Sequence, residues 1–396
     1  MPGKALEGIR VLDIATVIAA PWAAGIMADF GADVIKVEMP GRGDAVRAMG
    51  PHKNGKSLRW PMLGRNKRSI TLDFHSEKGK ALFLKLVEKA DVVIENFKTG
   101  TLDKWGVGVE EMRKHNPNII VSHVTGYGQT GPNRFLAGLG MPLQAYSGYV
   151  YMQGYEDRPP VNPPFPLADY VAGLYTVIGT MFALYYRDAK NGRGQEIDVS
   201  LYEGIFRMEE SAVAQLDQLG IVYERAPHSR GSSCPIGTFK TKDGRFVIMV
   251  CSTNPVFDHL CDAMERSEWK TPYATAKERL ADADYLNKEV ADWFAARTYE
   301  EAKAACDKAG VPLSAVYSMQ DIFNDPHYAA RNDILTVPTE DFGPMKMPGV
   351  FPVMSETPGE VKWAGPRIGE HTEEVLHEWL GLSAEEVAAL RADGAI

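Results

Sequence analysis

At 396 residues, with 45% hydrophobic and 24% charged side chains, the chain has the composition of an ordinary globular protein and the length for two domains. A formal charge of −9 argues against nucleic acid or an anionic membrane as main partner, so an anionic ligand would need a local basic patch. Cys234, Cys251, Cys261 and Cys306 form no CxxC pair and no metal-ligand spacing, and read as four buried thiols in a reducing cytoplasm.

The N-terminal stretch MPGKALEGIRVLDIA lacks the apolar core and cleavage site of a signal peptide. Residues 8–15 read as a strand, and an Ala-rich helix follows from Pro21 to about Phe30, with Gly31 as its C-terminal stop. Further β-branched runs at 33–38, 69–74, 91–96 and 118–124 predict four more strands. A helix over 76–90, with Ser76 as N-cap and Glu77 in its first turn, separates the third from the fourth. Strand and helix at this spacing predict a parallel sheet covered on both faces. Residues 130–167 break the rhythm with Gly, Pro and aromatics. The Pro-rich run 158–166 excludes regular structure.

A long apolar helix is predicted from about Asp169 to Lys190. Its uncharged run, 171–186, falls short of the roughly 20 residues that cross a bilayer, which predicts a buried helix and no membrane partner. A strand over 195–200 and a helix over about 201–219 follow. Residues 238–251 read as a hairpin turning at Asp243-Gly244. Charged helical segments then run to about Gly310, so 225–325 reads as a smaller α+β domain. The tail, 369–394, predicts two amphipathic helices broken at Gly381-Leu382-Ser383.

Nucleotide-binding fingerprints are absent. Gly41-Arg42-Gly43 gives a GxG without its third glycine, and no phosphate loop, GxSxG elbow or HExxH occurs. His371 and His377 stand six apart, on different helix faces, and read as surface histidines.

Locally, Asp169 reads as an N-cap, a short carboxylate accepting the free N–H groups of the helix start. A carboxylate kept ionised there, in apolar surroundings, also meets the conditions for a nucleophile. Arg65-Asn66-Lys67-Arg68, and Lys98 with Lys104, are candidate anion patches, though each also fits a solvated loop. Asn96-Phe97-Lys98 follows the fourth strand, where open parallel sheets bind ligands, and offers an amide, a ring and a cation suited to an adenine nucleotide.

The segments GIRVLD (8–13), GADVIKVE (31–38) with Gly43-Asp44, NKRSITLD (66–73), ENF (95–97), Asp169 ahead of its helix, GRGQEIDVSLYE (192–203) and GEHTEEVL (369–376) together resemble the class III CoA-transferases. The resemblance runs in order from end to end. It implies an α/β fold: a large Rossmann-like parallel-sheet domain (1–200 plus 330–396) and a smaller α+β domain (225–325), joined by linkers at 201–224 and 326–329. It also implies two chains interlocked as a homodimer, with acyl-CoA and a carboxylic acid as substrates and no metal or tightly bound cofactor. The aspartate matching Asp169 would attack the donor acyl-CoA, giving an acyl-aspartyl anhydride and then an aspartyl-CoA thioester that the acceptor acid displaces. CoA contacts are implied around Ala19, Leu72, His75, Asn96, Phe97, Lys98 and Lys104. His75 and Lys104 stand where relatives carry Lys and Arg, and a lysine lacks the arginine fork.

Departures from the family pattern narrow the reading. Oxalate-using members carry glutamine where this chain has Ile18, and a glycine run in the small domain that is missing here, with 251–254 the nearest candidate. The stretch 135–152 is expected to line the acyl site. Its apolar, tyrosine-rich character suits an acid larger or more apolar than oxalate, although plain core packing fits it too. The 2-methylacyl-CoA racemases of the same fold carry His-Asp after Ala-Gly. Here Ala137-Gly138 is followed by Leu139-Gly140, so the racemase base has no counterpart; racemisation, and CoA binding without catalysis, stand as the alternatives.

Overall fold

The β-branched runs of the first two hundred residues pair into one sheet. Its strands are β1 (Arg10–Asp13), β2 (Asp33–Glu38), β3 (Arg68–Thr71), β4 (Val92–Glu95), β5 (Ile120–Thr125) and β6 (Glu196–Ser200), in the spatial order β3-β2-β1-β4-β5-β6. Every pairing is parallel. This is the doubly wound order, with its reversal between β1 and β4. The computed structural model describes residues 3–226 and 233–396.

Side chains alternate across a strand, so each run feeds both faces. On one face Val11, Val34, Val92, Ile94 and Ile120 meet α1 (Ala19–Asp29), and a long helix described below. On the other, Leu12, Ile35, Ile70, Val93 and Val121 meet α2 (Glu77–Val87), with α3 (Thr101–Trp105) and α4 (Val109–His115) alongside. Ser76 caps α2 as predicted, its hydroxyl accepting the Gly79 N–H at 3.0 Å.

Between β5 and β6 run α5 (Gly140–Tyr146) and α6 (Leu167–Ala189). By length and composition α6 could cross a bilayer, being longer than the predicted run. Its buried stripe, Ala168, Val171, Ala172, Gly173, Thr176, Thr180 and Ala183, packs like a core helix. Gly173 is needed there: a Cβ would sit 2.7 Å from the Trp22 ring and 2.9 Å from the Ala19 carbonyl. The tail helices α12 (Thr372–Leu380) and α13 (Ala384–Ala392) close the second face. They break at Gly381 in the left-handed region, and a Ser383/Glu386 capping box restarts the chain.

The chain divides into two units, Met1–Val150 with Asn162–Leu219 and Ala329–Ile396, and Tyr151–Val161 with Gly220–Tyr328. Two boundaries differ from those expected. Much of 201–224, expected as linker, is α7 (Glu203–Phe206) and α8 (Glu210–Leu219) of the first unit, and 151–161 joins the second. In the second unit β7 (Ile236–Lys240), β8 (Phe246–Val250) and β9 (Leu313–Ala315) form an antiparallel sheet in the order β9-β8-β7. Against it pack α9 (Asn254–Met264), α10 (Ala283–Ala295) and α11 (Tyr299–Ala309). All four cysteines are buried and unpaired in this core. A further hairpin, β10 (Ile334–Thr339) with β11 (Gly343–Pro348), belongs to the first unit and was not predicted.

Candidate active site

Asp169 is not the cap of its helix. The turn begins earlier, with Pro166 at the N-cap position, and Asp169 is the third helical residue. Pro166 offers no side-chain acceptor, and the buried Gln144 of α5 takes that task. Its amide oxygen accepts the Ala168 N–H at 3.2 Å, and its amide nitrogen donates to Asn162 Oδ1 at 2.7 Å. The first residue of α5 closes on the carboxylate, since a Cβ on Gly140 would lie 1.9 Å from Asp169 Oδ2.

The electrostatics also differ from expectation. Burial raises the Asp169 carboxyl to about 6, and its own backbone N–H offsets this only in part. No cation pairs with it among the described residues. It is a desolvated carboxylate, still ionised at neutral pH but poorly stabilised, a condition that raises nucleophilicity.

The loop after β1 leads into α1, whose Trp22 stands edge-on to Tyr170 at 5.1 Å. This loop holds Val17 at φ 68, a conformation a β-branched residue seldom adopts. Two side chains hold it there. Asn96 accepts the Thr16 N–H at 2.8 Å and donates to the Thr16 carbonyl at 2.6 Å. Asp44 accepts the Val17 and Val46 N–H groups at 3.0 and 2.9 Å.

Beneath the loop lie four fully buried charges. Lys36 is 3.0 Å from Asp44 and 3.5 Å from Asp13, and Lys67 is 2.8 Å from Asp13. Lys36 also donates to the Ala15 carbonyl. Burial disfavours the Lys36 ammonium, yet Asp13, Asp44 and Glu38 together hold its pKa above the usual value. Burial, with repulsion from Lys36, holds Lys67 below it. Charges removed from water this completely persist only when paired.

The basic run 65–68 is therefore no anion patch. Arg65 meets Asp29 at 2.6 Å, Lys67 meets Asp13, and Arg68 reaches Asp33, Glu374 and Glu378. Its charges are consumed internally.

The residues predicted to touch CoA are dispersed around the carboxyl ends of β1, β3 and β4. Phe97 and the exposed His75 border one cleft of about 100 Å³, together with Phe74 and Trp105. Trp105, missed in the sequence, stands edge-on to Phe97 at 4.9 Å and to His75 at 5.2 Å. Asn96 spends its amide on Thr16. Leu72 is fully buried and Ala19 nearly so, and neither offers accessible surface for a ligand. Lys98 is exposed beside a second cleft, of about 190 Å³, that includes His123. Lys104 is exposed on α3. His123 bonds Glu95 at 2.5 Å and is a strand histidine held by an acid.

In the stretch expected to line the acyl site, Phe135, Leu136, Leu139 and Met141 are exposed, while Leu143, Gln144 and Ser147 are buried. It is therefore not simple core. Tyr146 stands edge-on to Tyr127 and Tyr202, at 5.3 and 5.0 Å.

Residues 6–372 match the model of CoA-transferase family III. The chain is 43% identical to the succinyl-CoA–L-malate CoA-transferase beta subunit of Chloroflexus aurantiacus, over 98% of this chain and 97% of that one. It is 37% identical to the succinyl-CoA–D-citramalate CoA-transferase of the same organism, over 99% and 98%. The fold superposes on a CAIB/BAIF family protein from Brucella suis with a TM-score of 0.83 at 30% identity, covering 96% of this chain and 100% of that one.

Proposed function

The chain belongs to CoA-transferase family III and is an acyl-CoA:carboxylate CoA-transferase; from that premise we propose that Asp169 is its nucleophile, succinyl-CoA its donor and a four- or five-carbon dicarboxylic acid its acceptor. The observation that carries the nucleophile is the desolvated, unpaired carboxylate at the start of α6. The relatives' named substrates support the choice of acids.

In the proposed sequence an Asp169 oxygen attacks the thioester carbonyl and expels CoA thiolate, leaving a succinyl-aspartyl anhydride. The thiolate attacks the aspartyl carbonyl, releasing succinate and forming an aspartyl-CoA thioester. The acceptor carboxylate attacks that thioester, again freeing thiolate. Thiolate then attacks the acceptor's acyl carbon, and Asp169 leaves as a carboxylate. Each step exchanges one activated acyl bond for another, so the balance requires neither ATP nor an oxidant.

On this reading the aromatic cleft of Phe97, His75 and Trp105 receives the CoA adenine, and the exposed Lys98 and Lys104, which follow the same strand, meet its phosphates. We also infer an assembly of two chains in the cytoplasm. The exposed stripe Leu174, Ile178, Phe182 and Tyr185 on α6 is the kind of surface a second chain covers.

Incubation in deuterated water with succinyl-CoA and ¹³C-labelled malate, followed by hydroxylamine and mass spectrometry, tests the reading. Labelled malyl-CoA and a hydroxamate on Asp169 are expected. Transfer that persists in Asp169→Ala overturns the nucleophile, and deuterium uptake at the α-carbon without transfer overturns the reaction class.

A further inference from the structure

Glu95, the last residue of β4, is a buried carboxylate with two tasks. Its Oε2 accepts the Phe97 N–H at 2.6 Å, and its Oε1 meets Nδ1 of His123, its register neighbour on β5, at 2.5 Å. Among the described residues no other basic side chain pairs with it. The bond to Phe97 matters because of what this turn carries. Asn96 grips the Thr16 backbone of the β1 loop at 2.8 and 2.6 Å, and the Phe97 ring stands edge-on to Trp105 in the aromatic cleft. One carboxylate therefore fixes the turn from which both side chains project.

The charges around His123 balance only when its imidazole is protonated. Nε2 lies 3.4 Å from Glu196 on β6, and Glu196 is also 3.1 Å from Arg113 of α4. Glu95 and Glu196 thus face an imidazolium and a guanidinium. The remaining charged groups nearby are committed or wet. Asp198 accepts the Gln129 N–H, Glu110 pairs with Arg113, and Asp103 and Lys98 are exposed at the cleft of about 190 Å³. Burial disfavours the imidazolium, yet Glu95 and Glu196 together hold the histidine above its usual pKa. Loss of that proton leaves Glu95 a buried carboxylate without a counter-charge, which is costly in a low dielectric. The carboxylate then takes up a proton or draws in water, and either change loosens its hold on the Phe97 N–H.

We propose that His123 is a positioning residue: in its protonated form it anchors Glu95, and through Glu95 the Asn96-Phe97 turn, so that CoA binding weakens as the histidine loses its proton. The inference rests on the CoA cleft proposed above. His123 acts through Glu95 rather than by contact with CoA.

Calorimetric titration of the enzyme with CoA, repeated from about pH 6 to about pH 9.5, tests this. His123→Gln keeps a neutral donor toward Glu95 and removes the charge. At about pH 6 this variant should bind CoA about 10-fold more weakly than wild type, the scale of one charge-assisted hydrogen bond. The ratio of the two dissociation constants should then fall toward one as pH rises and the wild-type histidine becomes neutral. Ionisations of CoA itself cancel in that ratio. Glu95→Gln, which keeps an acceptor for the Phe97 N–H, should show the same closing gap, and it gives the readout if the first variant does not fold. A gap of equal size at every pH, or no gap at any, overturns the role of His123. Phe97→Ala separates that result from a failure of the cleft. If it weakens CoA binding while His123→Gln does not, the cleft stands and the positioning role falls. If Phe97→Ala leaves CoA binding unchanged, the cleft and the role fall together.

Discussion

The raised carboxyl of Asp169 makes a prediction in which activity and stability move in opposite directions. Asp169→Asn keeps the shape of the side chain and removes its charge. The native carboxyl titrates at about 6 against an ordinary 3.8, a difference worth about 3 kcal/mol at 1.36 kcal/mol per pKa unit, or about 2 kcal/mol once solvent access to a half-buried group is allowed for. The sign follows from proton counting. Between about pH 4 and 6 the folded protein holds more protons at this site than the unfolded one, so wild-type stability falls as pH rises through that window and levels off above it. The neutral amide escapes this loss. Asp169→Asn should therefore melt about 2–3 °C above wild type at pH 8, with the gap closing toward pH 4, while CoA transfer is abolished. Scanning calorimetry of both proteins across pH 4–8 measures it. A variant no more stable at pH 8, or a gap of equal size at pH 4, would show that desolvation does not govern this carboxylate.

Three further substitutions probe the surroundings. Gly140→Ala would drive a methyl into Asp169 Oδ2 and displace the carboxylate; steady-state kinetics should show kcat down about 10- to 100-fold, with CoA affinity measured by calorimetry unchanged. Gln144→Leu strands the Ala168 N–H and the Asn162 amide oxygen. Denaturant unfolding should show a loss of about 1–3 kcal/mol. Lys36→Met leaves Asp44 without its ion pair and Asp13 with only Lys67; it should cost about 3–5 kcal/mol, seen as a lowered melting temperature or loss of soluble protein.

The sheet was legible because buried parallel strands are β-branched runs, and 33–38 matched its strand end to end. The cap at Ser76 and the break at Gly381 were legible because their chemistry is local. The Asp169 helix was placed late for a related reason. A carboxylate favours both the cap and the first turn of a helix, and only the distant Gln144, satisfying the turn from α5, decides between them. The basic run 65–68 misled because cations next to one another in sequence read as a solvated patch. Their acids come from Asp13, Asp29, Asp33, Glu374 and Glu378, brought in by α1, the sheet and the tail. Composition carries no signal for such a pairing. Trp105 escaped notice likewise, being an ordinary helix residue until the fold sets it between Phe97 and His75.

The four buried charges beneath the β1 loop also constrain how this sequence can change over time. Replacing any one of Asp13, Lys36, Asp44 or Lys67 singly leaves the set with one uncompensated charge away from water, so a stepwise route through the quartet crosses a deep fitness valley. Descendants of this chain should keep all four or exchange them in compensating pairs, drifting as a set while the neighbouring surface varies freely. Comparing the four positions across many related chains would reveal that joint inheritance without any measurement on the protein.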